Sequence, residues 1–159
     1  WQSTINTALH SLFYLTRLVS PFMTAQRSGV ILNMSSSAGR YGCPLRSPYV
    51  ASKWAAIGLA QTWAMELGPW NIRVNALCPG SVGGERIERV IQRDAEERGV
   101  SAEDIRTVYQ RQSSLRDFAS AEDIAAMVCF LSGPGGRMVS GQTIGIDGHT
   151  ESLTNWLDP

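Results

Sequence analysis

The chain has 159 residues, the size of one domain, and 43% of them are hydrophobic, enough for a packed core. Its 14 cationic and 14 acidic side chains cancel and no basic tract stands out, so nucleic acid is not an expected partner. The apolar runs are short and broken by polar residues, so no membrane contact is expected, and three widely spaced cysteines (Cys43, Cys78, Cys129) fit the reduced thiols of a cytoplasmic protein better than a disulfide framework or a zinc site.

Residues 1–25 carry Ile5, Leu9, Leu12, Phe13, Leu15, Val19 and Phe22 at helical spacing. The pattern is already under way at Trp1, so an N-terminal portion is expected upstream. After the break at "RSG", the run "VILNMS" (30–35), bounded by Gly29 and a serine cluster, predicts a buried strand. A Ser/Gly/Pro loop spans 36–47. A helix then starts at Pro48, with Ser47 as its expected N-cap, and stops near Leu67 at Gly68-Pro69. "IRVNALCPG" (72–80) predicts a second buried strand that ends in a Pro-Gly turn.

Residues 81–119 differ in character. They hold eight acids and seven arginines, and Ile87, Val90 and Ile91 form only a thin apolar stripe. One or two amphipathic helices lying over the core are expected; the arginines of 86–116 could meet an anionic substrate, but they alternate with acids, so a solvated face is expected for them. A further helix follows Ser120, where Asp123 closes a turn like a capping box, and "TIGIDG" (143–148) predicts a third strand. Strand–helix–strand–helix–strand at these lengths means parallel crossovers and an α/β fold. Three parallel strands leave an apolar edge without a neighbour, so further strands are expected upstream.

The densest chemical signal is "SPYVASKW" (47–54). Thirteen of the 14 cations are arginine, and the single lysine, Lys53, lies four residues after Tyr49. Positions i and i+4 share a helix face, so phenol and ammonium can point into one cleft. Tyr49 also lies in the first helical turn, where the dipole favours negative charge. A free tyrosine titrates near ~10, and bringing it to ~7 takes roughly 4 kcal/mol. A nearby ammonium in a partly dry site can supply much of that. The spacing alone also fits a surface lysine beside a packed tyrosine.

The segments "INTALHSLF", "GVILNMSSSAG", "SPYVASKWAAIGLAQTWAMELGPWNIRVNALCPGSV" and "VSGQTIGIDG" resemble, in order and spacing, the short-chain dehydrogenase/reductase family of the shorter, single-domain type, over about Trp1 to Gly148. The resemblance implies a Rossmann-type doubly wound parallel sheet, of which residues 1–159 are the C-terminal catalytic portion. It implies NAD or NADP as cofactor and a small alcohol, ketone or aldehyde as substrate. Tyr49 is then the general acid/base, and Lys53 its pKa-lowering partner and ribose ligand. Ser36, thirteen residues before the tyrosine, holds the carbonyl oxygen, and Asn6 holds a water that links the lysine to solvent. Pro79, Gly80 and Val82 match the turn that passes the nicotinamide ring, and residues 83–116 form the substrate lid. In many relatives the helices matching 1–25 and 48–67 meet a second subunit, so a homodimer or homotetramer is expected, with Ala51, Ala55, Ala56 and Ala60 allowing close helix approach.

The chain departs from the family pattern in two respects. Gly84 stands where threonine is frequent, and no glycine-rich G-x-x-x-G-x-G turn occurs, so the half that binds adenine and pyrophosphate is absent and these residues alone are expected to be inactive. His149 stands where the family often has glycine, and a structural role is expected for it. Two alternative readings are an epimerase or dehydratase, against which the short C-terminal end argues, and a non-catalytic association module, which a true start near Trp1 would favour.

Overall fold

In the computed structural model, which describes residues 1–154, the three apolar runs form one parallel sheet in the order β1 (Gly29–Met34), β2 (Ile72–Pro79), β3 (Thr143–Ile146). The register runs from Gly29↔Ile72 to Met34↔Leu77 and from Ala76↔Thr143 to Pro79↔Ile146. Each parallel connection carries helix, as the crossover geometry requires. α3 (Ser47–Leu67) joins β1 to β2, and α4 (Glu85–Arg98), α5 (Ala102–Gln110) and α6 (Ala121–Ser132) lie between β2 and β3. Ahead of the sheet, α1 (Gln2–Ile5), a π turn (Asn6–His10) and α2 (Ser11–Gln26) follow one another, and α2 ends at Arg27 in the left-handed conformation.

β2 is the central strand, and its alternation sorts the two faces. Ile72, Val74 and Ala76 pack against Ala60 and Trp63 of α3. Arg73 and Asn75 serve the opposite face. The Arg73 guanidinium donates to the carbonyls of Leu131 (2.5 Å) and Gly136 (2.8 Å), at the C-terminal end of α6 where orphan carbonyls need donors. Asn75 is fully buried: its Nδ2 donates to Val139 O (2.9 Å), and its Oδ1 accepts from Gln142 N (3.0 Å). The sheet is thus covered on both faces, as a doubly wound Rossmann-type fold demands.

Residues 81–119 form two helices, which build a small core of their own from Ile87, Ile91, Ala95, Ile105 and Tyr109. Their base is closed by a bridge between Val82 and Ala119, in which Gly83 N donates to Ala119 O (2.8 Å) and Ala119 N to Ser81 O (3.0 Å). The excursion therefore leaves and returns at one point beside the end of β2. The expected capping box forms: Asp123 N donates to Ser120 Oγ (3.0 Å) and Ser120 N to Asp123 Oδ2 (2.8 Å). These bonds hold the Asp123 carboxyl below its ordinary pKa.

One local expectation fails. Ser47 is not the N-cap of α3, because the first helical bond runs from Val50 N to Arg46 O (2.9 Å) and starts the helix one residue earlier. Arg46 occupies the cap position and makes no side-chain capping bond.

Among the described residues β1 has a strand neighbour on one side only, and α2 exposes Phe13, Leu15, Leu18 and Phe22. No helix of the described residues is long and apolar enough to cross a membrane.

The buried Asn75 joins β2 to the approach of β3, so replacing it strands two backbone groups. Asn75→Leu is expected to lower unfolding stability by about 2 kcal/mol or more, read from denaturant midpoints. A loss below about 0.5 kcal/mol would mean that Val139 O and Gln142 N find other partners.

Candidate active site

The site is assembled where β1 ends against the first turns of α3. Ser35 N still bonds to Leu77 O (2.7 Å), which carries the strand pairing one residue past β1. Its hydroxyl donates to the Lys53 carbonyl (2.8 Å), tying strand end to helix. Ser36 then starts a 3-10 turn (Ser37–Gly39), and its Oγ accepts from Ala38 N (3.2 Å). Gly39 lets this turn press on α3: a Cβ there would lie 2.8 Å from the Lys53 carbonyl oxygen and closer still to Ser35 Oγ.

Tyr49 and Lys53 lie one turn apart on α3, with the ammonium 5.5 Å from the centre of the phenol ring. Lys53 Nζ donates to Met34 O (2.8 Å), which spends one of its three donors and leaves two for other oxygens. Burial holds the Lys53 pKa below its ordinary value, and the Arg86 guanidinium adds to this. Opposite them, Gly80 N donates to Ile146 O (3.1 Å), and the turn after β2 lies so near β3 that a Cβ on Gly80 would come within 3.0 Å of Asp147 Cβ.

A cleft of about 480 Å³ opens between these elements and residues of α4 and α5. Ser36, Tyr49, Lys53, Pro79, Gly80 and Val82 all line it. Asn6 is not among its lining residues. It lies on the π turn, exposed, with its Oδ1 accepting from Gln2 Nε2 (2.7 Å). A π turn is itself a frequent mark of functional helices.

Ser35, Ser36 and Ser37 all line the cleft. Ser35 is committed to Lys53 O, whereas Ser36 accepts one amide and keeps its hydroxyl hydrogen. Cys43, Arg46, Arg86, Ile87, Val90, Tyr109 and Gln112 also line the cleft, and spacing did not pick them out. The signal was there for Arg46, three residues before Tyr49 and therefore near its face. Arg86 was hidden among paired arginines. Gly84, where threonine is frequent in the resembled family, has φ 122°, a conformation that strains any residue with a Cβ. His149 also has positive φ (66°), and its Nδ1 lies 3.1 Å from Ser114 Oγ, away from the cleft, in keeping with a structural role.

Residues 1–149 match the family model described as Enoyl-(Acyl carrier protein) reductase. The chain belongs to the short-chain dehydrogenase/reductase family. It is 38% identical over 148 residues to the 3-oxoacyl-(acyl-carrier-protein) reductase of Thermotoga maritima, covering 93% of this chain and 56% of that protein. It is 31% identical over 149 residues to the D-beta-hydroxybutyrate dehydrogenase of Rhizobium meliloti, covering 93% of this chain and 58% of the relative. Among solved structures, the Brucella melitensis 3-oxoacyl-(acyl-carrier protein) reductase with bound NAD superposes with a TM-score of 0.77 at 28% identity, covering 97% of this chain and 52% of that one. The chain thus spans about half the length of the curated relatives it matches.

Within this dehydrogenase/reductase fold, Lys53 is a strained cation. A lysine whose folded pKa is lowered holds its proton at a cost to stability, and that cost is relieved as pH rises through the folded value toward the ordinary one. Lys53→Met is therefore expected to raise the denaturation midpoint at neutral pH, with the gain shrinking as pH climbs toward the ordinary lysine range. A midpoint that falls at every pH would show that the bond to Met34 O outweighs the burial of charge.

Proposed function

We propose that residues 1–159 supply the catalytic part of an NAD(P)-dependent oxidoreductase that interconverts an alcohol and a ketone or aldehyde. The observation that carries the reading is the convergence of Ser36, Tyr49 and Lys53 on one cleft beside the Pro79–Gly80 turn. The cofactor, when bound, supplies or accepts the hydride. Tyr49, Lys53, Pro79, Gly80 and Val82 are the residues that would hold its nicotinamide end. The fit rests on the two uncommitted Lys53 donors and on the turn at Gly80, which closes against Asp147 where a Cβ would be crowded.

The chain's own work is proton handling. Ser36 Oγ–H donates to the substrate oxygen and fixes the carbonyl near Tyr49. In reduction the phenol gives its proton to that oxygen as negative charge develops there, and in oxidation the phenolate takes it back. Lys53 stabilises the phenolate across the ring contact and so lowers the cost of each cycle. Asn6 would complete the proton path through a bound water, from its place on the π turn. The lid helices α4 and α5 close the substrate side, and the adenosine end of the cofactor is held by residues outside 1–159. The relatives named above act on 3-oxoacyl and hydroxybutyrate groups by their names, which agrees with a small carbonyl substrate here.

The association surface belongs to the same reading. The exposed Leu15, Leu18 and Phe22 share one side of α2 and form an apolar stripe suited to a second copy of the chain. A cytoplasmic location agrees with three free cysteines.

Two measurements test the reading on the intact enzyme. Tyr49→Phe is expected to cut turnover at least a thousandfold with cofactor affinity within about threefold of the parent, because only the proton donor is lost. Lys53→Arg is expected to lose both turnover and cofactor affinity, since a planar guanidinium cannot replace a compact ammonium at this spacing. Turnover within tenfold of the parent for Tyr49→Phe removes the assignment. On the association face, Leu18→Glu with Phe22→Glu is expected to shift the assembly to monomer in light scattering, and an unchanged mass moves the interface elsewhere.

A further inference from the structure

Seven arginines lie in the lid region, and most have acidic partners. Arg89 pairs with Glu85, Arg93 with Glu97, Arg98 with Asp94, Arg106 with Glu88 and Glu103, and Arg116 with Glu151. The Arg86 guanidinium makes no ion pair or hydrogen bond among the described residues, and neither does that of Arg46, which also lines the cleft. These two unpaired cations, with Lys53, line the cleft, and no Asp or Glu is among its lining residues. In a chain whose charges cancel overall, this one concavity carries three positive groups and no negative one.

Their placement argues against a role in stability. Arg46 is the N-cap of α3, and Arg86 is the second residue of α4. The helix dipole favours anions at N-termini, so both arginines stand where a cation is least welcome. Arg86 also lies close enough to Lys53 to push its ammonium toward the neutral form. Two helix N-termini, two guanidinium groups and an ammonium therefore add their positive potentials at one cleft, which favours an anion there.

Resting on the oxidoreductase reading, we propose that the substrate of this cleft is a short carbonyl or hydroxy compound bearing its own carboxylate or phosphate, which Arg46 and Arg86 hold while Tyr49 serves the reacting oxygen. Arg46 lies three residues, or about 4.5 Å along the axis, from Tyr49. With an arginine's reach added, this span suits an acid group a few bonds from the reacting carbon. A guanidinium meets either anion with paired N–H donors. The pair then does the positioning that brings the carbonyl to Ser36 and Tyr49.

The test uses matched substrates with the intact enzyme at saturating NADH or NADPH: 3-oxobutanoate against its methyl ester, and dihydroxyacetone phosphate against dihydroxyacetone. The expected result is that one anionic member is preferred over its neutral partner at least thirtyfold in kcat/KM, and the pair that shows it tells carboxylate from phosphate. Arg46→Met and Arg86→Met are each expected to cut that preference at least fivefold, mainly through KM, and Arg46→Lys is expected to restore part of it. Because each preference is a ratio within one variant, partial loss of folded enzyme cancels. Equal use of the charged and neutral members of both pairs overturns the proposal while leaving the oxidoreductase reading in place. An unaltered ratio in Arg86→Met, with cofactor KM raised instead, overturns the role of Arg86 and moves it to the cofactor phosphates. If no carbonyl is reduced at all, the oxidoreductase reading fails, and calorimetric titration with 3-oxobutanoate and with dihydroxyacetone phosphate still decides the anion site. Binding of either that is lost in Arg46→Met upholds it, and no binding of either overturns it.

Discussion

The geometry of the candidate site depends on a reciprocal clamp between β1 and α3. The Ser35 hydroxyl donates to the Lys53 carbonyl, and the Lys53 ammonium donates back to the Met34 carbonyl. Three residues, Met34, Ser35 and Lys53, thus fix strand end to helix from both sides. Gly39 allows the intervening turn to sit directly on the helix, where any side chain would collide with both partners. Ser36 is the next residue along the strand and Tyr49 lies one turn back along the helix, so the clamp sets the position of both groups. The neutral Ser35 bond contributes on the order of 1 kcal/mol, and the bond from the charged ammonium about 1.5–3 kcal/mol. Their value here lies in geometry, since a proton transfer that misses by an ångström loses most of its rate.

The clamp stands on β2. That strand is buried along nearly its whole length because α3 covers its Ile72, Val74 and Ala76 face, while Arg73 and Asn75 reach the other side. A polar pair inside a parallel sheet looks costly, but each group has its partners, and each partner is a backbone group that the crossover would otherwise leave bare. The same strand delivers Pro79 and Gly80 to the cleft. From there the lid departs and returns through the Val82–Ala119 bridge. The 81–119 excursion has a small core of its own and is tied down twice, at the Val82–Ala119 bridge and again where Ser113, Ser114 and Leu115 meet the chain after β3.

Much of this was legible in the sequence. The three strands follow from apolar runs between Gly, Pro and Ser, and the capping box at Ser120 and Asp123 follows from two residues at fixed spacing. Tyr49 and Lys53 were readable because i and i+4 always share a helix face, whatever surrounds them. The arginines were not readable in this way. Arg86 and Arg89 look alike in the sequence, but only the fold shows that Glu85 pairs with Arg89 and leaves Arg86 facing Lys53. Arg46 was masked by the expectation that Ser47 would cap α3, an error of one residue that moved the arginine from loop to helix terminus. The position of Asn6 was equally invisible, because a π turn depends on how α1 and α2 lie against α3 and not on the identity of the residues within it.

The charge pattern of the cleft separates what the fold needs from what it tolerates. A cation at a helix N-terminus opposes the dipole by about 0.3–1 kcal/mol. Two such positions beside a half-buried ammonium form an arrangement that packing alone would not select. The neighbouring helix faces follow the opposite rule. Glu85 and Glu88 sit in the first turn of α4, Glu103 and Asp104 in that of α5, and Glu122 and Asp123 in that of α6. α3 starts with Arg46 and no acid, and the first turn of α4 adds Arg86 between its two acids; both arginines line the cleft. A local exception of one sign, confined to one concavity, is what a binding requirement imposes on an otherwise ordinary set of helices.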